Sequence, residues 1–479
     1  MAEQFIISVD GGSQSTKVFI LGLDGQVASE GVQPLRPLHL ADPVVALHPD
    51  DDLWDSLIVA CRKALDSFPG KLSQIIGLGL CTIRCCRALL KADGTLAYPV
   101  LSWMDRRLSV PYEHTDPTVR YVTTTSGYIT HRLTGNFKDT AANHEGMWPI
   151  DADAWDWSDD PAVLERFQIP REMLLDLVMP GDQLGTVTAE ASRLTGIPQG
   201  LPVFATANDK AVETLGAGVI GDSQVMISLG TYIAAMRPGT GNVRNAASYY
   251  ANMASIPRRY VYESTGGIRR GMWLVSWVRE LLGDGPAKSA AELGLSTEDY
   301  LNRRAEDIPA GCEGLLTIPE FLAPVAKPYK RGVMIGFDGR HTGLHIYRSA
   351  LEAIALSMYN NTMAMADELK MSLQSVMISG GGAHGELFMR IFADVFGLPS
   401  MRSRARSLVA IGCAICASVG LGVCSSFEEA AGRLVPERDV FSPNAENHEL
   451  YQTVNNRVYR EMTQDTDKIL KKMFPIFGK

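Results

Sequence analysis

An α/β protein made of two related halves is the fold class the sequence predicts, and three observations predict it. Candidate strands alternate with candidate helices from the first residues onward, the pattern of an α/β domain. An apolar strand, a turn of small residues and a second apolar strand occur between Phe5 and Leu21 and again between Val225 and Met236. Repetition at that distance is too long for a solenoid and marks two related halves. Size is the third: 479 residues, at ~100–200 residues per domain, allow two to four domains that each bury a core without disulfides or metal.

Phe5 to Val9 reads as a strand, Asp10 to Ser13 as a turn, Thr16 to Leu21 as a second strand, and Val27 to Ser29, after Asp24-Gly25, as a third. Leu53, Trp54, Leu57, Ile58, Cys61 and Leu65 then fall on one helical stripe, and Ile75 to Cys81 is again strand-like. Val203 to Thr206 predicts a strand that runs through Asn208-Asp209 into a short helix closed by Gly216 to Gly218. Gly and Asp interrupt both patterns at Gly221-Asp222, which places the expected boundary there: a first domain over 1–222 and a second over 223–479. Val376 to Ser379 is a buried-type strand, followed by Gly380-Gly381-Gly382 and a helix from about Glu386 to Phe396. The run from Ile411 to Cys424 falls short of the ~20 residues a membrane span needs and reads as a buried helix.

The charge balance, 45 basic against 54 acidic side chains, gives a net −9. That sign argues against a nucleic acid or an anionic membrane as partner. Met1 to Gln4 has no basic n-region and the apolar run behind it is too short for a signal peptide. Eight sparse cysteines, two of them adjacent at Cys85-Cys86, do not suit a disulfide framework, so reduced thiols and a cytoplasmic location are expected.

Several segments carry candidate chemistry. The turn at Asp10-Gly11-Gly12-Ser13 exposes backbone N–H groups that suit phosphate oxygens, and Asp10 at the strand end suits a hydrated Mg²⁺; an ordinary hairpin explains Asp-Gly as well. Lys17 follows Thr16 inside the second strand, so the segment is not a P-loop. Asp209, at a strand-to-helix turn, is placed to accept a proton from a substrate hydroxyl, or either it or Asn208 caps the helix. Gly380 to Gly385 formally matches G-x-G-x-x-G, yet the next strand candidate is basic, with Arg402 and Arg404, and offers no ribose-binding carboxylate. Cys81, Cys85, Cys86, Cys413 and Cys416 lack a complete metal-ligand spacing and read as small buried residues. Trp103-Met104-Asp105-Arg106-Arg107 sets an aromatic plate beside charged groups, which suits a polyhydroxylated ligand, although a lone Trp also suits a core.

In this order the segments resemble those of the FGGY carbohydrate kinases, members of the actin-like ATPase superfamily, from about Ile6 to Cys424. Asp10 to Lys17 is similar to the family's first phosphate loop, Trp103 to Arg107 to its sugar-site segment, and Asn208-Asp209 with Gly216-Ala217-Gly218 to the segment bearing the catalytic aspartate. Ser228 to Thr231 resembles the second phosphate loop, and Ser379 to Ala383 the adenosine loop followed by Gly412-Cys413-Ala414. The most specific match is Gly332 to Gly336, then His345-Ile346, then Ser349 to Glu352, with only Phe337 off pattern.

The resemblance implies two related actin-like (ribonuclease H-like) domains with a cleft between them, and an ATP- and Mg²⁺-dependent kinase for a ketose, polyol or sugar acid. It further implies Asp209 as general base, Asp10 holding Mg²⁺ through water, and Gly11, Gly12, Ser13, Thr16, Lys17, Gly230 and Thr231 around the phosphates. Gly380, Gly381, Gly382 and Ala383 would border the adenosine, and Arg84, Trp103 and Asp105 the sugar; a homodimer is suggested. Two departures stand out. The segment between Arg107 and Leu133 is short for the family, and Arg84 has Ile83 and Cys85 beside it where glycerol kinases carry an acidic neighbour, which removes a polyol acceptor. A nucleotide-binding regulator on the same fold, or an oxidoreductase resting on Gly380 to Gly385 alone, are the competing readings.

Overall fold

The computed structural model describes residues 3–41, 45–221, 223–324 and 327–477. The opening meander forms as the sequence predicts: β1 (Phe5–Gly11), β2 (Ser15–Gly22) and β3 (Val27–Pro34), followed by helix α1 (Asp52–Asp66) and β4 (Ile75–Thr82). Further on come β5 (Gln183–Thr186), β6 (Pro202–Asn208) and, directly behind it, α2 (Asp209–Gly216). These strands make one sheet in the order β5-β6-β4-β1-β2-β3. The meander is antiparallel, whereas β4 lies parallel to β1 and β6 parallel to β4.

The second half repeats this. Its strands are β7 (Gln224–Leu229), β8 (Ile233–Gly239), β9 (Tyr249–Met253) and β10 (Tyr260–Ser264). After helix α3 (Gly271–Leu281) and a long helical stretch come β11 (Ser375–Ser379), α4 (Glu386–Phe396), β12 (Ser400–Ser403), α5 (Leu408–Gly420) and β13 (Arg438–Phe441). The sheet order is β9-β10-β8-β7-β11-β12-β13. Its inner five strands match β3-β2-β1-β4-β6 in order and direction, antiparallel on one side of the central strand and parallel on the other. The boundary expected at Asp222 lies outside the described residues; the first sheet lies wholly before it and the second wholly after.

Side-chain alternation along β1 decides what each face meets. Phe5, Ile7 and Val9 enter a core with Trp54, Leu57 and Ala60 of α1. Ile6 enters a separate core with Ala410, Ile411 and Ala414 of α5, and Ser8 Oγ donates to the Ala410 carbonyl at 2.8 Å. A helix from the second half thus covers one face of the first sheet. It begins earlier than expected, at Leu408, because Ser407 caps it by accepting from Ala410 N–H at 3.1 Å. α5 crosses α2 at very short range: a Cβ on Gly216 would stand 1.8 Å from the Leu408 carbonyl oxygen, and one on Gly412 2.3 Å from that of Val212. Cys81, Cys413 and Cys416 are fully buried around this crossing, as small core residues. A separate five-stranded sheet, built from residues 39–41, 45–47, 87–90, 96–101 and 121–123, carries the loops around Arg84 and Trp103. No described helix is long and apolar enough to cross a membrane.

Candidate active site

The charged end of β1 is built by register. Asp10 and Lys17 are directly paired across the β1–β2 hairpin, so their side chains share a face, with Lys17 Nζ 3.6 Å from the Asp10 carboxylate. Burial pushes the Asp10 carboxyl up to about 6; Lys17 opposes this, and the negative charges of Asp209 and Glu213 add to it. The same alternation turns Thr16 away: it is buried, and its hydroxyl is hydrogen-bonded to Ser56 of α1 at 2.7 Å. Gly12 N–H is likewise spent, donating to the Ser15 carbonyl at 3.1 Å to close the turn. The Thr16 hydroxyl and the Gly12 amide therefore correct the expectation that both face a ligand; Gly11 and the exposed Ser13 stay at the open side of the loop.

Asp209 opens α2, and the competing role of helix cap goes to its neighbour. Asn208 Oδ1 accepts from Ala211 N–H at 3.0 Å, which leaves the Asp209 carboxylate out of the capping. Its Oδ1 is buried with no hydrogen-bond partner, a costly arrangement for a charged oxygen unless something else completes it. One turn on, Lys210 Nζ reaches Glu213 at 3.0 Å and Ser228 Oγ at 2.9 Å. Burial lowers the Lys210 pKa, but Glu213 and Asp209 outweigh it and hold the ammonium protonated. Burial likewise pushes Glu213 up, and Lys210 together with the hydrogen bond from Ser228 Oγ outweighs it, keeping the carboxylate ionised. Through Ser228 this pair ties α2 to β7, the strand that leads to the second glycine turn.

Arg84, just beyond β4, reaches across to the other half of the molecule. Its guanidinium lies 3.3 and 3.5 Å from the two carboxylate oxygens of Glu263 on β10, whose side chain is only 1% exposed. Asn252 Nδ2 also donates to Glu263, at 3.1 Å. Arg84 thus has an acidic partner, supplied by the second half and not by its neighbour in sequence. Glu145, from the first half, accepts from Met253 N–H on β9; burial pushes it up to about 7, opposed by that bond and by Arg84.

Trp103 is 52% exposed, on the loop that follows the strand at residues 96–101. Asp105 corrects a further expectation. It is buried and accepts from Ala46 N–H at 2.9 Å and from Arg107 N–H at 3.0 Å. The Arg107 guanidinium adds Nε at 2.9 Å and Nη2 at 2.7 Å. Those bonds use the acceptor sites of a carboxylate, so Asp105 shapes the loop that presents Trp103 and has no oxygen left for a ligand.

The second glycine turn, Gly230-Thr231, joins β7 to β8; its carbonyls accept from Met272 N–H at 3.1 Å and Gly271 N–H at 2.9 Å, at the start of α3. Beside it runs the Gly380 loop. Gly380 has φ 81°, and a Cβ there would stand 2.4 Å from the Leu229 carbonyl oxygen, so only glycine lets the two turns lie this close. Gly381 opens on empty space, while Gly382 and Ala383 are buried. The basic residue on the following strand explains itself: Arg402 Nη1 donates to the carbonyls of Ala383 and His384, both at 3.0 Å, and its Nε to Asp439 at 2.8 Å. Arg402 latches this loop, which accounts for a basic side chain where a dinucleotide fold places an acidic one.

Sequence reasoning missed Lys210, Glu213, Glu263, Glu145 and the latch made by Arg402. Only Arg402 had a signal, as the basic residue on a strand that follows a glycine-rich turn.

Residues 111–216 match the FGGY family of carbohydrate kinases, N-terminal domain, and residues 225–421 the C-terminal domain of the same family. The chain is 48% identical to the uncharacterized sugar kinase YgcE of Escherichia coli (strain K12), over 99% of this chain and 96% of that protein. Among solved structures it resembles gluconate kinase from Lactobacillus acidophilus, with TM-score 0.83, 18% identity and coverage of 98% of this chain and 100% of the other. Xylulose kinase from Rhodospirillum rubrum gives TM-score 0.81 at 23% identity, over 99% and 100%. At these identities the two structures show the fold, two actin-like domains; the sequence matches show more, and the chain belongs to the FGGY family of carbohydrate kinases, phosphotransferases with a hydroxyl acceptor.

Proposed function

We propose that this protein transfers the γ-phosphate of ATP, the donor used by its family, to a hydroxyl of a ketose, polyol or sugar acid, with Asp209 as the general base. The observation that carries this reading is the unpartnered, buried Oδ1 of Asp209 at the start of a helix that Asn208 already caps. Its charge acts on Asp10 on one side and on Arg84 on the other, so Asp209 belongs between the phosphate loops and the carbohydrate. There it takes the proton of the attacking hydroxyl, a role that positioning serves in phosphoryl transfer.

In this reading Asp10 holds Mg²⁺ through water. Asp10, Asp209 and Glu213 repel one another, and Lys17, 43% exposed, offsets only part of that; a divalent cation fits such a deficit. Among the described residues no three His, Cys, Asp or Glu side chains are grouped to cage a metal, so the ion would take most of its ligands from water and phosphate, as Mg²⁺ does. Gly11, Ser13, Gly230 and Thr231 line the phosphates, Lys17 adds charge beside them, Gly380 to Ala383 border the adenosine, and Arg84 and Trp103 meet the sugar. Residues 1–222 and 223–479 are the domains that close on the substrates to exclude water. All eight cysteines are free, which fits a reducing cytoplasm.

The test is Asp209→Asn in a coupled ADP-release assay over pentuloses, hexuloses, polyols and aldonates. The expected result is a turnover loss of ~10²–10⁴-fold with an unchanged melting temperature; near-wild-type turnover with any accepted substrate overturns the role.

A further inference from the structure

Arg84 is faced by negative charge from two elements, β10 and α2. Glu263 faces the guanidinium with both oxygens, and Asp209 acts on it from α2. Besides Arg84, Glu263 accepts from Asn252 Nδ2 at 3.1 Å. A half-buried guanidinium facing a fully buried carboxylate is neutralised before any ligand arrives, yet it keeps N–H donors to spare, since arginine has five and Glu263 takes two.

We propose, resting on the kinase reading above, that the carbohydrate taken here is a neutral polyol or ketose and not a sugar acid, and that Glu263 is the residue that decides this. Arg84 donates to a hydroxyl or carbonyl oxygen of the substrate. Glu263 does not touch the substrate; it is a positioning residue that holds Arg84 and Asn252 and cancels the charge that would otherwise attract a carboxylate. An aldonate would set its carboxylate against Asp209 and Glu263 while the charge of Arg84 is already met by Glu263, and like charges so placed cost several kcal/mol.

The test compares ligands that differ only in charge. In calorimetric titrations of the wild-type protein with Mg²⁺ and a non-hydrolysable ATP analogue, alditols or ketoses should bind at least ~100-fold more tightly than aldonates of the same length. Tighter binding of the aldonates overturns the inference. Because binding is measured without turnover, that result is distinct from failure of the kinase reading, which would appear as no ADP release with any carbohydrate. Glu263→Gln should narrow the preference by about tenfold or more, through KM and not kcat, while leaving nucleotide binding unchanged and lowering the melting temperature, because a buried pair loses one partner. An unchanged preference in a folded Glu263→Gln protein also overturns the proposal. Should that variant fail to fold, the wild-type titrations decide alone.

Discussion

α2 and α5 occupy equivalent places, each following the last of the five matched strands of its sheet, β6 and β12, but they are equipped differently. Asn208 caps the first and Ser407 the second; the next residue is Asp209 in one and Leu408 in the other. The turns after the central strands differ in the same sense, Asp10-Gly11 after β1 and Leu229-Gly230 after β7. Duplication supplied the scaffold, and the chemistry sits where the copies diverge: at these matched positions the first half carries Asp10 and Asp209, the second Leu229 and Leu408. Electrostatics explains why the copies cannot both be charged. Asp209 and Glu213 already help to push Asp10 up to about 6, and carboxylates at the two matching positions would deepen that repulsion.

The largest effect is expected where the equivalent helices touch. Gly216→Leu would drive a side chain into the Leu408 carbonyl, already 1.8 Å from an ideal Cβ, and neither backbone can retreat without moving the sheet beneath it. A stability loss above ~3 kcal/mol or outright failure to fold is expected, read by chemical denaturation. The same change at Gly381, where a Cβ meets nothing within 4 Å, should leave stability within about 0.5 kcal/mol and weaken ATP binding. Equal destabilisation at both positions would break the claim that the crossing is tighter than the loop.

Asp10 sharpens the contrast between charged and uncharged turns. Its carboxyl sits at about 6 in the fold against an ordinary 3.8, so the folded state holds the proton more tightly, and stability falls as pH rises from near 4 to near 6. Asp10→Asn removes that penalty. Without nucleotide or Mg²⁺ the variant should be more stable than wild type at pH 7.5, by up to ~3 kcal/mol at 1.36 kcal/mol per pH unit, with the difference closing below about pH 4. Saturating Mg²⁺-ATP should reverse the ranking. A variant no more stable than wild type at pH 7.5 would show that Lys17 already compensates Asp10.

Which parts were legible follows from the range over which each is encoded. β1, its turn and β2 are local, and an apolar run broken by Asp-Gly-Gly announces them; α4 begins and ends at the expected Glu386 and Phe396. The direction of Thr16 was also within reach, since alternation sends it opposite to Lys17 once Asp10 and Lys17 are paired. Asp105 misled because Asp followed two residues later by Arg reads equally as a ligand pair and as a capped turn, and the turn's own amide at Arg107 took the oxygens. Glu263 was out of reach: its partner Arg84 stands 179 positions away on the other half, and only the packing of the two sheets brings them together. Glu145, whose partner is a backbone amide on β9, leaves no side-chain pattern to find.

The smallest effect concerns the loop beside the uncharged turn. Arg402 grips the Ala383 and His384 carbonyls, is anchored by Asp439 and lies over the Phe441 ring at 5.2 Å. Its job is to hold the Gly381 opening in shape, so Arg402→Ala should loosen the loop without touching Asp209 or Arg84. ATP affinity is expected to fall about tenfold, ~1.4 kcal/mol, while the KM for the carbohydrate stays as in wild type. Global stability should drop only slightly, because Asp439 keeps Arg404 at 2.7 Å as a second partner. A matching rise in both KM values would mean that the latch acts on domain closure as a whole, and the division of labour between the two halves would have to be redrawn around Arg402.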